Sequence, residues 1–213
     1  MGIATVERTP CADAAEESQM TAHETWELLL RAWQEIDVPQ GWRAEIHGEE
    51  IVVVPPPSGS HGLIASDIQW ELRKLAPEGG TAVQNLGVQI PAVGRLYIPD
   101  LVFAMRKDIP LDSTPIAAAD LLLVVEITSR GNVEEDRDAK RRAYASGEVP
   151  LYLLIDSWDK AGPTVTLFSD PGSGDYASAR REPFGTPVQL PKPFEVDLET
   201  FEFPVHPGVA KRR

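Results

Sequence analysis

Residues 120–129 have the sequence DLLLVVEITS, in which five consecutive apolar residues precede the carboxylate of Glu126. A run this apolar is typical of a central β-strand that is covered on both faces. VPLYLLID, at residues 149–156, has the same character, and Asn132 can cap a helix between the two runs that continues to about Gly147. Strand, helix and strand in this order predict two parallel strands joined by a right-handed crossover.

Helix and strand signals also surround this unit on both sides. An amphipathic helix over about 21–37 starts at a Thr21/Glu24 capping box, and Ser60 can cap a second helix over about 60–76. The other signals are strand-like: a hairpin of WRAEIH and EIVVVP around Gly48, two stretches at 81–90 and 95–105, and shorter pieces from TVTLFS to Phe203. The sum predicts an α/β fold with a mixed central β-sheet, flanking helices and additional peripheral β-strands.

The chain divides into one domain and two tails. Residues 1–20 mix Ala, Glu, Thr and Ser without an apolar period, so we expect a disordered N-terminal tail. Residues 21–204 are predicted to form a single domain, because 213 residues with 42% hydrophobic content suit one substantial core. Residues 205–213 are predicted to form a basic C-terminal tail that ends in Lys211, Arg212 and Arg213.

Composition limits the function classes. No apolar run approaches the roughly 20 residues that span a bilayer, and no secretory signal is visible, so we expect a soluble, cytoplasmic protein with no membrane partner. The only cysteine, Cys11, excludes an intrachain disulfide and a cysteine-based zinc site. Because the formal net charge is −13, any surface that binds phosphates must be local.

Two carboxylates interrupt apolar strands. Asp100 follows Pro99 in RLYIPDLVFAM, and Glu126 lies in the central run. If the two strands are neighbours, side chains that alternate with period two bring both carboxylates to one point. Such oxygen ligands with open positions suit Mg²⁺ or Mn²⁺. The alternative is structural: Asp100 caps a turn and Glu126 pairs with a basic side chain.

The helix after the central strand places Asp136, Lys140 and Tyr144 at successive i, i+4 positions, so they share a face. Lys140 can therefore point at the carboxylates and hold a phosphate or an attacking water. The plainer interpretation is a surface pair of Asp136 and Lys140, which contributes roughly 0.3–0.5 kcal/mol.

Four segments in order resemble the Uma2 family of the PD-(D/E)xK nuclease superfamily. They are AEIHGEEIVVVPPPSGSHGLIASDI, IPDLVFA, LLLVVEITSRG and DRDAKRRAYASGEVPLYLLID, within residues 21–158. The resemblance implies a restriction-endonuclease-like core. It also implies that Asp100 and Glu126 are catalytic metal ligands, that Glu45 completes the acidic cluster and that Lys140 is the catalytic lysine.

The same resemblance suggests His61 as a phosphate contact, and the basic helical stretch offers Arg137 and Arg141 as further substrate contacts. The chain departs from the superfamily pattern at one position. The usual lysine stands two residues after the glutamate, where this chain has Thr128. We expect the helix lysine, Lys140, to replace it.

The expected activity is Mg²⁺-dependent (or Mn²⁺-dependent) endonuclease cleavage of nucleic acid, preferably DNA, with a homodimer aligning two local basic patches. Two other interpretations remain open. One is a catalytically weak or inactive nuclease-fold domain that serves in nucleic-acid binding or protein assembly, which the acidic charge and Thr128 favour. The other is a hydrolase that uses Asp100 and Glu126 as paired acid and base, as glycosidases do.

Overall fold

The structure is a computed structural model that describes residues 20–75 and 77–205. Most of the predicted N-terminal tail, with Cys11, and the basic terminal trio lie outside the described residues. The helices are α1 (Ala22–Glu35), α2 (Gly59–Leu75) and α3 (Arg141–Ser146), and a π-helical segment, Glu135–Lys140, leads into α3. The strands are β1 (Arg43–His47), β2 (Glu50–Val54), β3 (Gly80–Val83), β4 (Val88–Ile90), β5 (Arg95–Tyr97), β6 (Leu101–Met105), β7 (Ile116–Ala117), β8 (Leu121–Ile127), β9 (Leu151–Asp156), β10 (Thr164–Gly172), β11 (Asp175–Pro183), β12 (Val188–Leu190) and β13 (Val196–Leu198).

The central sheet has six strands in the order β11-β10-β9-β8-β6-β3. Strands β8 and β9 are parallel, with Glu126 opposite Leu154, and the other pairs are antiparallel. The helical segment between β8 and β9 makes the crossover that a parallel pair requires. The predicted α/β class with a mixed central sheet and peripheral strands is therefore confirmed.

A second, five-stranded sheet has the order β2-β1-β5-β4-β7. The predicted hairpin forms its first two strands and turns at Gly48, whose φ of +74° is readily adopted only by glycine. Helix α1 packs on this sheet, where Trp26 meets the buried Ile46. Its capping box is present, with Glu24 N–H donating to Thr21 Oγ1 at 3.2 Å.

The two stretches predicted as continuous strand-like pieces at 81–90 and 95–105 each divide between the two sheets. Strand β3 belongs to the central sheet and β4 to the second, while β5 belongs to the second sheet and β6 to the central one. Asn85, with φ of +57°, lies in the first break, and Pro99, which has no N–H to donate to a ladder, lies in the other. The expectation that Asp100 lies within a strand was wrong: it directly precedes β6.

Two predicted helix starts also move by a few residues. Helix α2 begins at Gly59, and Ser58 rather than Ser60 accepts from the His61 N–H, at 3.4 Å. The Asn132 side chain does not cap the third helical segment. It instead accepts from the N–H and hydroxyl of Ser129 at 2.8 and 2.6 Å, closing the turn before that segment. No helix among residues 20–75 and 77–205 has the length and apolarity to cross a membrane.

The central sheet buries both of its faces. On one face, Leu123, Leu153 and their neighbours pack against Ile64 and Ile68 of α2 and against the small β12–β13 sheet. On the other, Val124 and the residues alternating with it pack against α3 and strands β4 and β5 of the second sheet. Glu126 shares this second face, because it is two residues from Val124. The fold therefore places Glu126 between the two sheets.

Leu123→Ala is expected to lower the free energy of unfolding by about 2–5 kcal/mol, because a fully buried leucine leaves a cavity when truncated. The matched control is Leu111→Ala, since the Leu111 side chain is fully exposed and should change stability by less than about 0.5 kcal/mol. Urea unfolding followed by circular dichroism measures both. Equal losses in the two variants would contradict the assigned core.

Candidate active site

An open cleft of about 830 Å³ lies at the carboxyl ends of β8 and β9. Its lining includes residues that directly follow these strands, among them Thr128 and Ser157, and residues of the β1–β2 hairpin with Pro55–Pro57. The predicted site residues that line it are Glu45, His61, Asp100, Glu126 and Lys140. The fold thus brings together both predicted metal ligands and the predicted lysine.

Glu126 and Lys140 form a buried ion pair at this cleft. The Lys140 ammonium lies 3.0 Å from Glu126 Oε1, and both side chains are at most 5% exposed. The Tyr144 hydroxyl donates to the same oxygen at 2.7 Å. The helix lysine therefore reaches the glutamate although it lies 14 residues further along the chain.

The π-helical segment shapes this contact. Lys140 ends the segment and also lies 3.1 Å from Asp136 Oδ1, one turn earlier in the chain. Asp136 is completely buried, so the pair is not the solvated surface pair of the plainer interpretation. Single π-helical turns are rare and occur frequently at functional sites.

Asp100 is held by three contacts where the chain passes from the second sheet to the central one. His61 Nε2 lies 2.8 Å from its Oδ1, and the Ile127 N–H donates to its Oδ2 at 2.8 Å. The guanidinium of Arg43 lies 3.5 Å from Oδ1. Because Ile127 directly follows Glu126, the Asp100 contact to its N–H ties the two carboxylates together.

Glu45 projects into the same cleft from the middle of β1 and is 2% exposed. Its Oε1 accepts from the Ile98 N–H and its Oε2 lies 2.9 Å from His47 Nε2, so both oxygens have partners. Ile98 lies two residues before Asp100. Glu45 therefore fixes the backbone that presents Asp100.

The two predicted arginine contacts lie outside the cleft lining. Arg137 Nε donates to Asp156 Oδ2 at 2.8 Å, and Arg141 Nη2 lies 2.8 Å from Asp175 Oδ2. Thr128 occupies the usual lysine position, and its hydroxyl also donates to Asp156, at 3.3 Å. Asp156 thus connects the ends of β8 and β9 with the helical segment.

The sequence did not indicate that Arg43, His47 and Tyr144 contact the predicted site residues. These contacts are with Asp100, Glu45 and Glu126 respectively. The signal for the first two lay in β1, where Arg43, Glu45 and His47 alternate and so share one face. Three polar side chains on one face of a strand whose residues are largely buried indicate a site rather than a core. Tyr144 lay on the predicted face of Lys140, but its hydroxyl contact with Glu126 depends on the packing of α3 against β8.

Burial dominates the electrostatics of the site. It raises the pKa of Glu126 well above its usual range, against the opposing charge of Lys140, and it raises the pKa of Asp136 to about 6. Burial lowers the pKa of Lys140, but Glu126 and Asp136 outweigh it and hold that pKa well above its ordinary value. Burial would also raise the pKa of Asp100, yet its contact with His61 keeps it lowered.

Two of the cleft carboxylates suit a divalent metal ion. Within the described part of the chain, no group of three or more His, Cys, Asp and Glu side chains is arranged to hold a metal by itself. Mg²⁺, however, is commonly bound through one or two carboxylates together with waters and phosphate oxygens. Asp100 and Glu126, which both line an open cleft, fit that mode. The pKa of Glu126 is raised further by the negative charges of Asp136, Asp100 and Glu45. These charges also favour a cation beside Glu126.

Comparison with known proteins gives a family and a fold. The Uma2 family model, described as "Putative restriction endonuclease", matches residues 26–205. The solved structure of a "putative nuclease belonging to DUF820" from Anabaena variabilis ATCC 29413 is similar, with a TM-score of 0.62 at 16% identity, over 82% of this chain and 96% of that one. A comparison with curated proteins gives no match. The likeness to the solved structure confirms the nuclease-like fold.

The raised pKa of Asp136 predicts that the stability of the metal-free protein depends on pH. This pKa is about 6 in the folded state and near 3.8 in the unfolded state, so between these values the folded state binds more protons. The contribution of Asp136 to the free energy of unfolding must then fall as pH rises from about 4 to about 6. Asp136→Asn should lack this pH dependence. Its free energy of unfolding relative to that of the wild type should therefore rise by about 2 kcal/mol between pH 4 and pH 6.

Urea unfolding in EDTA at several pH values measures this difference. Asp138→Asn is the matched control, since Asp138 lies in the same helical segment with an exposed side chain. Its stability should follow the wild-type curve between pH 5 and pH 6. A constant difference between Asp136→Asn and wild type over the whole window would show that Asp136 titrates in the same range in both states.

Proposed function

The chain belongs to the Uma2 family of restriction-endonuclease-like proteins, and on this premise we propose that it is a Mg²⁺-dependent endonuclease that hydrolyses phosphodiester bonds in DNA. The observation that carries the proposal is the buried contact between Lys140 and Glu126 beside Asp100 in an open cleft. A buried ion pair does little for stability, because desolvation of both charges offsets their attraction. Its place in the cleft therefore favours a chemical role.

Asp100 and Glu126 are the residues that would hold the ion. When bound, Mg²⁺ supplies an acidic water and stabilises negative charge on the phosphate. Lys140 contributes a positive charge beside the reacting phosphate, while the Tyr144 hydroxyl fixes the Glu126 carboxylate through its contact at 2.7 Å. Preorganised charges of this kind stabilise the transition state because they need no reorientation during the reaction.

The other cleft residues position this group. His61 and Arg43 contact Oδ1 of Asp100. Glu45 accepts a hydrogen bond from the Ile98 N–H, two residues before Asp100. We therefore assign Glu45 a positioning role rather than a place in the metal's ligand set. Arg137 and Arg141 stay candidates for substrate contact only outside the cleft, where each is already paired with a carboxylate.

The overall negative charge shapes the proposed encounter with DNA. Few cations face the cleft, so affinity should be modest and should fall with added salt. A homodimer would place two such clefts on one duplex, and we include it in the proposal. Gel filtration at several protein concentrations tests this part, and elution as a monomer at all of them contradicts it.

Cleavage of plasmid and of single-stranded DNA tests the activity. Wild-type protein should cut with Mg²⁺ or Mn²⁺ and not in EDTA, and Asp100→Asn and Glu126→Gln should reduce cutting to background. Lys140→Met should slow cleavage roughly 100- to 1,000-fold, as the loss of one stabilising charge does. Tyr144→Phe should slow it roughly 10- to 100-fold, as loss of a residue that orients a ligand does.

Asp112→Asn is the matched control, because Asp112 is exposed and does not line the cleft, and it should cut like wild type. Cutting that survives in EDTA but needs Asp100 and Glu126 would favour a paired acid and base instead. Absence of cutting by folded protein would favour the inactive nuclease-fold domain. That alternative is consistent with Thr128 at the usual lysine position.

A further inference from the structure

A second cavity of about 620 Å³ opens beside the cleft and shares part of its wall. Both cavities are lined by Arg43, Pro56, Pro57, His61 and Asp100. The residues around Asp100 therefore form the boundary between them. A substrate held at Asp100 has the second cavity directly beside it, and the volume lies in the range of cavities that enclose small organic ligands.

The lining of this second cavity differs from that of the catalytic cleft. Trp33, Trp42 and Ile36 give it aromatic and apolar surface, and Gln84 and Asn85 add amide groups. Aromatic rings stack on the faces of unpaired bases, and amide side chains can donate to and accept from base edges. Asp100, at the shared boundary, is the only carboxylate in this lining.

A tight turn fixes the backbone of Trp42 beside the cavity. Its N–H donates to Pro39 O at 2.9 Å, and Gly41, the third residue of the turn, has φ of +83°, as a type II turn requires. The Trp42 side chain is 41% exposed, so one part of the ring is available to a ligand. Because a tryptophan side chain has only two χ angles, a half-exposed indole loses little conformational entropy when a base stacks on it.

Arg43 stands between the two cavities. Its Nη1 donates to Ile98 O at 3.1 Å and lies 3.5 Å from Asp100 Oδ1. A guanidinium carries five N–H donors, and the buried Nε of Arg43 has no partner in the described structure. Because Arg43 lines both cavities, it is placed to contact the phosphate that links a nucleotide at Asp100 to its neighbour.

We propose that the second cavity binds one unpaired nucleobase, next to the phosphate that is cut, with the base stacked on Trp42 and its phosphate near Arg43. This inference rests on the proposed nuclease function and adds a preference for single-stranded or locally unpaired DNA. A base inside an intact duplex cannot enter such a cavity, because it must first leave its stack and its partner.

Binding in EDTA tests the inference without any cleavage. Fluorescence anisotropy compares a short labelled oligothymidylate with a blunt duplex of the same length. Wild-type protein should bind the single strand more tightly. Trp42→Ala should weaken that binding roughly 5- to 150-fold, the loss expected for one stacked base, and Trp42→Phe should retain most of it.

Trp70→Ala is the matched control. Trp70 is 64% exposed on α2 and lines neither cavity, so its removal should leave the affinity unchanged. Equal affinities of Trp42→Ala and wild type, equal losses in both alanine variants, tighter binding of the duplex, or binding of neither probe would each overturn the inference. Thermal unfolding of each variant confirms that it is folded.

Plasmid cleavage with Mg²⁺ separates this inference from the proposed function. Protein that cuts but binds the single strand independently of Trp42 would refute the base site and leave the nuclease proposal standing. Protein that binds the single strand through Trp42 but does not cut would support the base site and contradict the nuclease proposal.

Discussion

The burial of several ionisable groups between two β-sheets is the constraint on which the rest of the site depends. Glu126, Asp136 and Lys140 are each at most 4% exposed. An unpaired charge at such a depth costs several kcal/mol, so each of these groups must be compensated by another. Lys140 contacts both carboxylates, and Tyr144 donates a further hydrogen bond to Glu126. The position of the helical segment relative to β8 is therefore fixed by charge as well as by apolar packing.

The cleft exists because the chain changes sheets. Strand β5 lies in the second sheet and β6 in the central one, with Pro99 and Asp100 between them. Asp100 lies outside both strands at this change of sheet, and its carboxylate accepts from the Ile127 N–H at the end of β8. The β1–β2 hairpin of the second sheet supplies another part of the cleft lining. A single continuous sheet would have placed these groups on one flat face.

The proposal that Lys140 replaces the usual strand lysine is compatible with this geometry. A lysine at position 128 would extend from the end of β8, where Thr128 instead donates to Asp156. Lys140 approaches Glu126 from the helical side, and it is held there by Asp136. Lys140 thus places a positive charge beside the carboxylate, while Thr128 and Arg137 both contact Asp156 at the strand end.

The sequence alone predicted the element types, the parallel β8–helix–β9 unit and the grouping of Asp100, Glu126 and Lys140. These followed from local signals: apolar runs, a capping box, and carboxylates where apolar residues were expected. Only the tertiary structure decided that residues 81–90 and 95–105 divide between two sheets, because apolar patterning does not specify which partner a strand pairs with. It also decided that Arg43 and His47 line the cleft while Arg137 and Arg141 lie outside its lining. The direction of a charged side chain depends on the nearest compensating charge in space, and the order of residues does not contain that distance.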